Sequence, residues 1–453
     1  MAERPESELA AMAPEIDPAR LLRWLASQRW FGAKARVPSG AELIERAQIA
    51  PGVELAFAQV QFATGAHELY QLVLAPGSDG AGFDVLPAPA PATALLAAIA
   101  GSRDLEGRHG RFSFRLVGAD GVPAGLEPGA EVRMMGAEQS NSSVVFGERI
   151  ALKLFRRLEP GINPDLEMHR FLTAHDYPNI APLHGWYEYE GEALAATLGL
   201  AQRFVAGGAD GFELALEQVQ QDPELLLERI AALGAVTARL HSVLASDPND
   251  PAFSPQDPST EFLSIMRATL DDQLERIFGE LPDHPGLAPL AGLEQQVREC
   301  ITLPSQGPIG GKSIRIHGDY HLGQTLYTDA GWTLLDFEGE PARPLNARRQ
   351  KRSPLRDVAS MLRSFAYAGW VLRLRRGVEP PADFEQRARS AFLEAYLDDV
   401  ERALLPASQA HVSSLIAAFE LEKLLYELRY ELENRPAWLP IPVAGILRLL
   451  ESG

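Results

Sequence analysis

With a single cysteine, Cys300, among 453 residues, the chain cannot close an intramolecular disulfide or build a cysteine-rich zinc site. That scarcity favours a cytoplasmic protein. Long apolar runs are missing too: no stretch of about eighteen uncharged apolar residues occurs, so no membrane-spanning helix is expected. The opening "MAERPESELAAMAPEIDPAR" lacks the basic-then-apolar pattern of a secretory signal. Positive charge is in deficit, with 42 Lys and Arg against 61 Asp and Glu and a formal net charge of −19. Broad contact with nucleic acid or an anionic membrane is thereby disfavoured. A small anionic ligand is still admissible, because one cation and a few basic side chains reverse the field locally.

What is present describes a globular chain, 46% hydrophobic and 23% charged, whose length calls for two or three domains or subdomains. Residues 1–105 carry "RWFGAKAR" and alternating stretches such as "VELAFAQVQF" and "ELYQLVLA", the pattern of a small antiparallel sheet, followed by an Ala/Pro-rich connector. Trp30 and Phe31 read as packing residues beside the basic Lys34 and Arg36. Residues 106–205 are strand-rich: "EVRMMGAEQSNSSVVFGERIALKLFRR" reads as strand, polar turn, strand, tight turn, strand. A helix then begins at "NPDLE", with Asn163 as cap and Pro164 at its first position. Residues 206–453 follow a glycine-containing link and show helical spacing, interrupted by one hairpin. The expected fold is α+β and bilobal, with a strand-rich N-terminal lobe including a cap subdomain, a helical C-terminal lobe and a ligand cleft between lobes.

The hairpin region, "IHGDYHLGQTLYTDAGWTLLDFEGEP", concentrates the chemistry. His317, Asp319 and Gln324 form H-x-D-x-x-x-x-Q, and Asp336 follows Gln324 by twelve residues. Phosphoryl transfer from ATP needs a carboxylate for the attacking hydroxyl, oxygen ligands for magnesium and cations on the phosphates. Protein kinases supply these as H-R-D-x-x-x-x-N and Asp-Phe-Gly. Asp319 takes the base position, and Gln324 and Asp336 take the metal positions. Pairing of "QTLYT" with "WTLLD" brings Gln324 and Asp336 together at the open end of the hairpin. A solvated acidic turn would explain any one of these residues but not their spacing. His317 reads as a scaffold of the loop, while His321, Glu338 and Glu340 are left without a role.

Upstream, Ile150, Leu152 and Leu154 share one strand face and Lys153 takes the other. A lysine there is costly unless paired, and Glu167, fourteen residues on, is the expected partner in positioning ATP phosphates. No G-x-G-x-x-G accompanies it. The polar turn "EQSNSS" stands in that place, with Ser140, Asn141, Ser142 and Ser143 as expected phosphate contacts. Arg343, Arg348, Arg349, Lys351 and Arg352 form a basic cluster, either steering ATP or a solvated face, and Asp357 opens the next helix as a structural cap.

Together "EQSNSSVVFGERIALKLFRRLEPGINPDLE", "HGDYHLGQTL", "LLDFEGEPARPL" and "RSPLRDVASMLRSFAYA" resemble the aminoglycoside-phosphotransferase-like branch of the kinase fold, and within it the maltokinases. "RWFGAKAR" is similar to the start of that family's cap subdomain, so the likeness spans nearly the whole chain. It implies ATP and maltose as partners, with Mg2+ as cofactor, and phosphorylation of the anomeric hydroxyl to give maltose 1-phosphate for α-glucan synthesis; a monomer is expected. It also implies a sugar site on a late helix, where Glu420, Lys423, Tyr426 and Tyr430 recur at helical spacing. A related kinase acting on glucosamine, another sugar or an aminoglycoside is the alternative. An inactive kinase-like binding module leaves the intact Lys153, Asp319, Gln324 and Asp336 unexplained, and a two-carboxylate glycosidase leaves Lys153 without a role.

Overall fold

The computed structural model describes residues 16–32, 36–75, 84–118, 130–136, 140–259, 261–280, 284–300, 310–341 and 343–452. Lys34 and the residues Glu138 and Gln139 of the expected phosphate turn lie outside the described residues. Two compact units divide the chain: Met1–Thr173 with Ala181–Gly207, and Ala174–Ile180 with Gly208–Gly453. Among the described residues, no helix is long and apolar enough to cross a membrane.

In the first unit, alternating sequence gives two antiparallel sheets. One has four strands in the order Pro38–Ala50, Val53–Phe62, His67–Leu74 and Arg157–Leu158. Its outer face packs on the helix Pro18–Ser27, and Trp30, Phe31 and Tyr70 fill the core there, as expected of the first two. The other sheet has seven strands in the order Asp104–Glu106, Gly110–Leu116, Leu183–Gly191, Ala195–Arg203, Ile150–Phe155, Asn141–Phe146 and Val132–Met134. Between the sheets, Phe57, Phe112 and Tyr189 meet edge-on or tilted at 4.8–5.4 Å, beside the helix Pro89–Ala100.

The second unit is helical, built around Pro223–Leu244, Leu355–Val371, Phe384–Asp399 and Gln409–Asn434. The predicted hairpin is Thr325–Thr328 paired with Gly331–Leu334, and Ala209–Asp210 adds a third strand to the expected two. Gly331, at φ +97°, closes the hairpin in a conformation that favours glycine. Trp332 anchors it, its indole N–H donating to Arg229 O at 2.7 Å.

Candidate active site

In the first unit the strand Ile150–Phe155 buries its aliphatic side chains and leaves Lys153 on the other face. The helix Pro164–Ala174 starts as its sequence dictates, with Asn163 Oδ1 accepting from Asp165 N at 2.8 Å. That cap turns the Asp165 carboxylate toward the strand, and Lys153 Nζ lies 2.9 Å from Asp165 Oδ2. The expected partner Glu167 lies two residues further along the same buried first turn. Asp165 is a partner of Lys153 beside the expected Glu167. His169 Nδ1 stands 3.1 Å from the other Asp165 oxygen. Burial would raise the Asp165 carboxyl, but the Lys153 charge and then His169 hold it far below the ordinary carboxylate range.

The phosphate turn needs correction. Asn141, Ser142 and Ser143 are not a turn but the buried start of the strand Asn141–Phe146; only Ser140 is exposed beside it. Strand alternation separates them further. Ser143 is paired across the ladder with Lys153 and shares its face, whereas Ser142 is paired with Leu154 and faces the opposite way. There its hydroxyl accepts from Arg156 Nε at 2.7 Å. Arg156 is itself buried on Asp84, at 2.7 Å, and its guanidinium lies over the Trp30 ring. Ser142 thus belongs to the packing of the first unit.

In the second unit the loop bearing Asp319 hangs from Asp357, whose carboxylate accepts from His317 N at 2.7 Å and Gly318 N at 3.0 Å. Asp357 also meets His241 Nε2 at 3.2 Å, and His241 in turn meets the Tyr396 hydroxyl. Burial opposes the Asp357 charge, but the His241 contact and the backbone N–H of Gly318 keep its pKa below the usual value. Asp357 is thus an anchor rather than a helix cap. His317 is the expected scaffold: its Nε2 meets Leu335 O at 2.8 Å and its Nδ1 accepts from Asp319 N at 3.4 Å. Neither His241 nor Tyr396 could be found by motif, because each comes from a distant helix.

Asp319 is partly exposed and stands between two nitrogen groups. Lys423 Nζ lies 3.9 Å from one carboxylate oxygen and His321 Nε2 lies 3.9 Å from the other. Both distances exceed a direct hydrogen bond, which leaves the carboxylate available to an incoming hydroxyl. At the open end of the hairpin, Gln324 Nε2 donates to Asp336 Oδ2 at 3.2 Å. Asp336 holds φ +60°, a left-handed conformation that costs a non-glycine residue about 1–2 kcal/mol. An amide oxygen beside a carboxylate is the hard-oxygen donor set that suits magnesium. Glu338 sits 3.8 Å from Arg348, and Glu340 accepts from Arg343 Nε at 2.6 Å.

On the helix Gln409–Asn434, Tyr426 and Tyr430 are exposed and stacked, with ring centroids 6.5 Å apart, and Lys423 Nζ lies over the Tyr426 ring. Glu420 does not share that face. It is buried, holds Arg389 in two hydrogen bonds of 2.7 and 2.8 Å, and meets Arg448 at 3.1 Å. Its assignment as a sugar contact is withdrawn for that reason: a carboxylate saturated by two guanidiniums in the core cannot reach a ligand. Nor are the basic residues after the hairpin a solvated face. Lys351 clamps Pro251 O and Ser254 O, while Arg343 and Arg356 reach Glu422 at 3.8 and 2.7 Å.

A model of the phosphotransferase enzyme family (APH) matches residues 131–403, and one of the maltokinase N-terminal cap domain matches residues 24–97. Among curated proteins, a glucosamine kinase of Streptacidiphilus jiangxiensis is 26% identical over 339 residues, covering 72% of this chain and 75% of its own. A glucosamine kinase of Mycolicibacterium smegmatis is 24% identical over 375 residues, covering 76% of this chain and 84% of its own. Of solved structures, a glucosamine kinase in complex with glucosamine, ADP and inorganic phosphate superposes with a TM-score of 0.72 at 22% identity, covering 99% of both chains. A second crystal form gives 0.74 at 21% identity, covering 99% of this chain and all of the other. These likenesses carry the bilobal fold: a strand-rich N-terminal region with a cap and a helical C-terminal lobe.

Proposed function

Because the chain belongs to the phosphotransferase enzyme family, we propose that it transfers the γ-phosphoryl group of ATP to the anomeric hydroxyl of maltose, giving maltose 1-phosphate and ADP for α-glucan synthesis. The observation that carries the choice of acceptor is Lys423, an ammonium 3.9 Å from the Asp319 carboxylate. A cationic acceptor beside Asp319 would meet a like charge, whereas a neutral hydroxyl gains a donor there. The match of residues 24–97 to the maltokinase cap domain supports the same reading.

In this mechanism Asp319 orients the anomeric hydroxyl and accepts its proton as the new oxygen–phosphorus bond forms and the bond to ADP breaks. Lys153, oriented by Asp165, pairs with phosphate oxygens, and Ser140, Asn141 and Ser143 lie on or beside its strand face. Gln324 and Asp336 would hold magnesium, which supplies positive charge to the phosphoryl oxygens when bound. Tyr426 and Tyr430 offer flat rings for a sugar, and Lys423 donates to its hydroxyls.

Glucosamine kinase activity is the second reading, favoured by the names of the curated relatives. ADP release with magnesium, ATP and either maltose or glucosamine separates the two. The proposal expects saturable turnover of maltose and at most weak turnover of glucosamine; the reverse ranking overturns it.

A further inference from the structure

Beside the Asp319 loop, the second unit contains a pocket of about 120 Å³, several times the roughly 10–15 Å³ that one buried water needs. Gly318, which precedes Asp319 in the chain, and Lys423, whose Nζ lies 3.9 Å from the Asp319 carboxylate, form one wall. The polar wall continues through Glu340, Arg343, Arg352, Arg356 and Glu422, with Arg348, Asp357, Gln273, Gln350 and Ser360 also lining the cavity and Tyr426 at the side shared with the exposed helix face.

Two groups on this wall bear most directly on what the pocket holds. Glu422 Oε1 is held by Arg356 at 2.7 Å, but Oε2 is buried and accepts no hydrogen bond. Arg352 donates to Gln350 Oε1 at 2.9 Å and meets no carboxylate among the described residues. Burial, then the facing Arg356 and Arg343, push Arg352 down to about 10, with Glu422 and Glu340 opposing. A buried acceptor without a donor and a guanidinium without an acid each cost free energy that a ligand can recover.

The two groups constrain the ligand jointly. An anion would suit Arg352 and set its charge against Glu422 Oε2. An ammonium would suit Glu422 and lie among Arg343, Arg352 and Arg356. Hydroxyl groups both donate and accept, so one neutral polyhydroxylated ring satisfies both. We propose that this pocket binds the second, non-reacting hexosyl ring of a neutral disaccharide acceptor and so selects a disaccharide over a monosaccharide. The inference rests on the functional reading above and adds to it the residues that recognise the remote ring: Glu422 and Arg352 as its direct partners, with Arg343 and Arg356 holding Glu422 in place.

Steady-state kinetics of Glu422→Gln and Arg352→Gln, with maltose and ATP varied in turn, test the proposal. Each variant is expected to raise the KM for maltose about 10- to 100-fold, the loss of a hydrogen bond to a charged group, with the KM for ATP and the melting temperature close to wild type. If both variants keep the wild-type KM for maltose, or lose ATP affinity equally, the pocket is not the ring site. Competition between maltose and millimolar inorganic phosphate, relieved by Arg352→Gln, would make it an anion site and overturn the proposal. The functional reading fails separately: wild-type enzyme that phosphorylates glucosamine and no maltose removes that reading and the ring site with it, whereas unmoved KM values in an enzyme active on maltose remove only the ring site.

Discussion

Each unit sets a lysine against an aspartate, and the two pairs are built for opposite ends. Lys153 and Asp165 are 2.9 Å apart, with side chains 12% and 2% exposed, and His169 closes the second oxygen of the carboxylate. Lys423 and Asp319 are 3.9 Å apart, with side chains 29% and 22% exposed. The first pair is closed. Its carboxylate is spent on fixing an ammonium, which suits a residue meant to present charge to a phosphate. The second pair is open: its carboxylate is not saturated by the ammonium, as the proposed transfer of an acceptor proton to Asp319 requires. In the proposed mechanism, distance and burial rather than residue type separate a positioning acid from a reacting one.

That contrast breaks or sharpens under substitution. Asp319→Asn should lower kcat by about 10²–10⁴, the range of a lost general base, with a melting temperature near wild type. Asp165→Ala should do the reverse in kind, costing about 3–5 kcal/mol in urea unfolding by leaving the Lys153 charge without this buried acid, and weakening ATP use as a consequence. A catalytic loss without unfolding at Asp165 would remove the distinction.

Acid sharpens the contrast next. The Asp165 carboxyl is depressed in the folded state, so its stabilisation is complete above the ordinary carboxylate pKa of about 3.9 and is lost as pH falls below it. Stability measured between pH 6 and 2 should therefore fall at the acid end, and less steeply in Asp165→Asn than in wild type. Lys423→Met should have the smallest effect, raising the KM for the sugar about tenfold with no change in unfolding free energy beyond the roughly 0–1 kcal/mol of an exposed pair. A change confined to the KM for ATP would assign Lys423 to the nucleotide instead.

Local chemistry in this chain was legible in the sequence where periodicity or a turn fixed it. The cap at Asn163, the strand presenting Lys153, the hairpin and the juxtaposition of Gln324 with Asp336 all follow from spacing over a dozen residues or fewer. What the spacing did not reveal depended on which way a side chain turns and on what packs against it. Glu420 shares helical spacing with Lys423, yet Arg389 and Arg448 draw it into the core. Ser142 looked like a turn residue until Arg156 and the strand ladder turned it inward. Asp165 and Glu167 share the first turn of one helix, and the pairing of Asp165 with Lys153 at 2.9 Å is visible only once the Asn163 cap sets that turn. The anchor of the Asp319 loop joins Asp357 to His241, 116 residues apart, which no motif encodes.

The most direct test of a neutral sugar acceptor served by an open carboxylate is phosphorus NMR of the product formed from maltose and magnesium ATP. The account predicts one anomeric phosphate resonance that grows with ADP in the wild type and is lost in Asp319→Asn. A product phosphorylated at another hydroxyl, or unchanged product formation in Asp319→Asn, would contradict it.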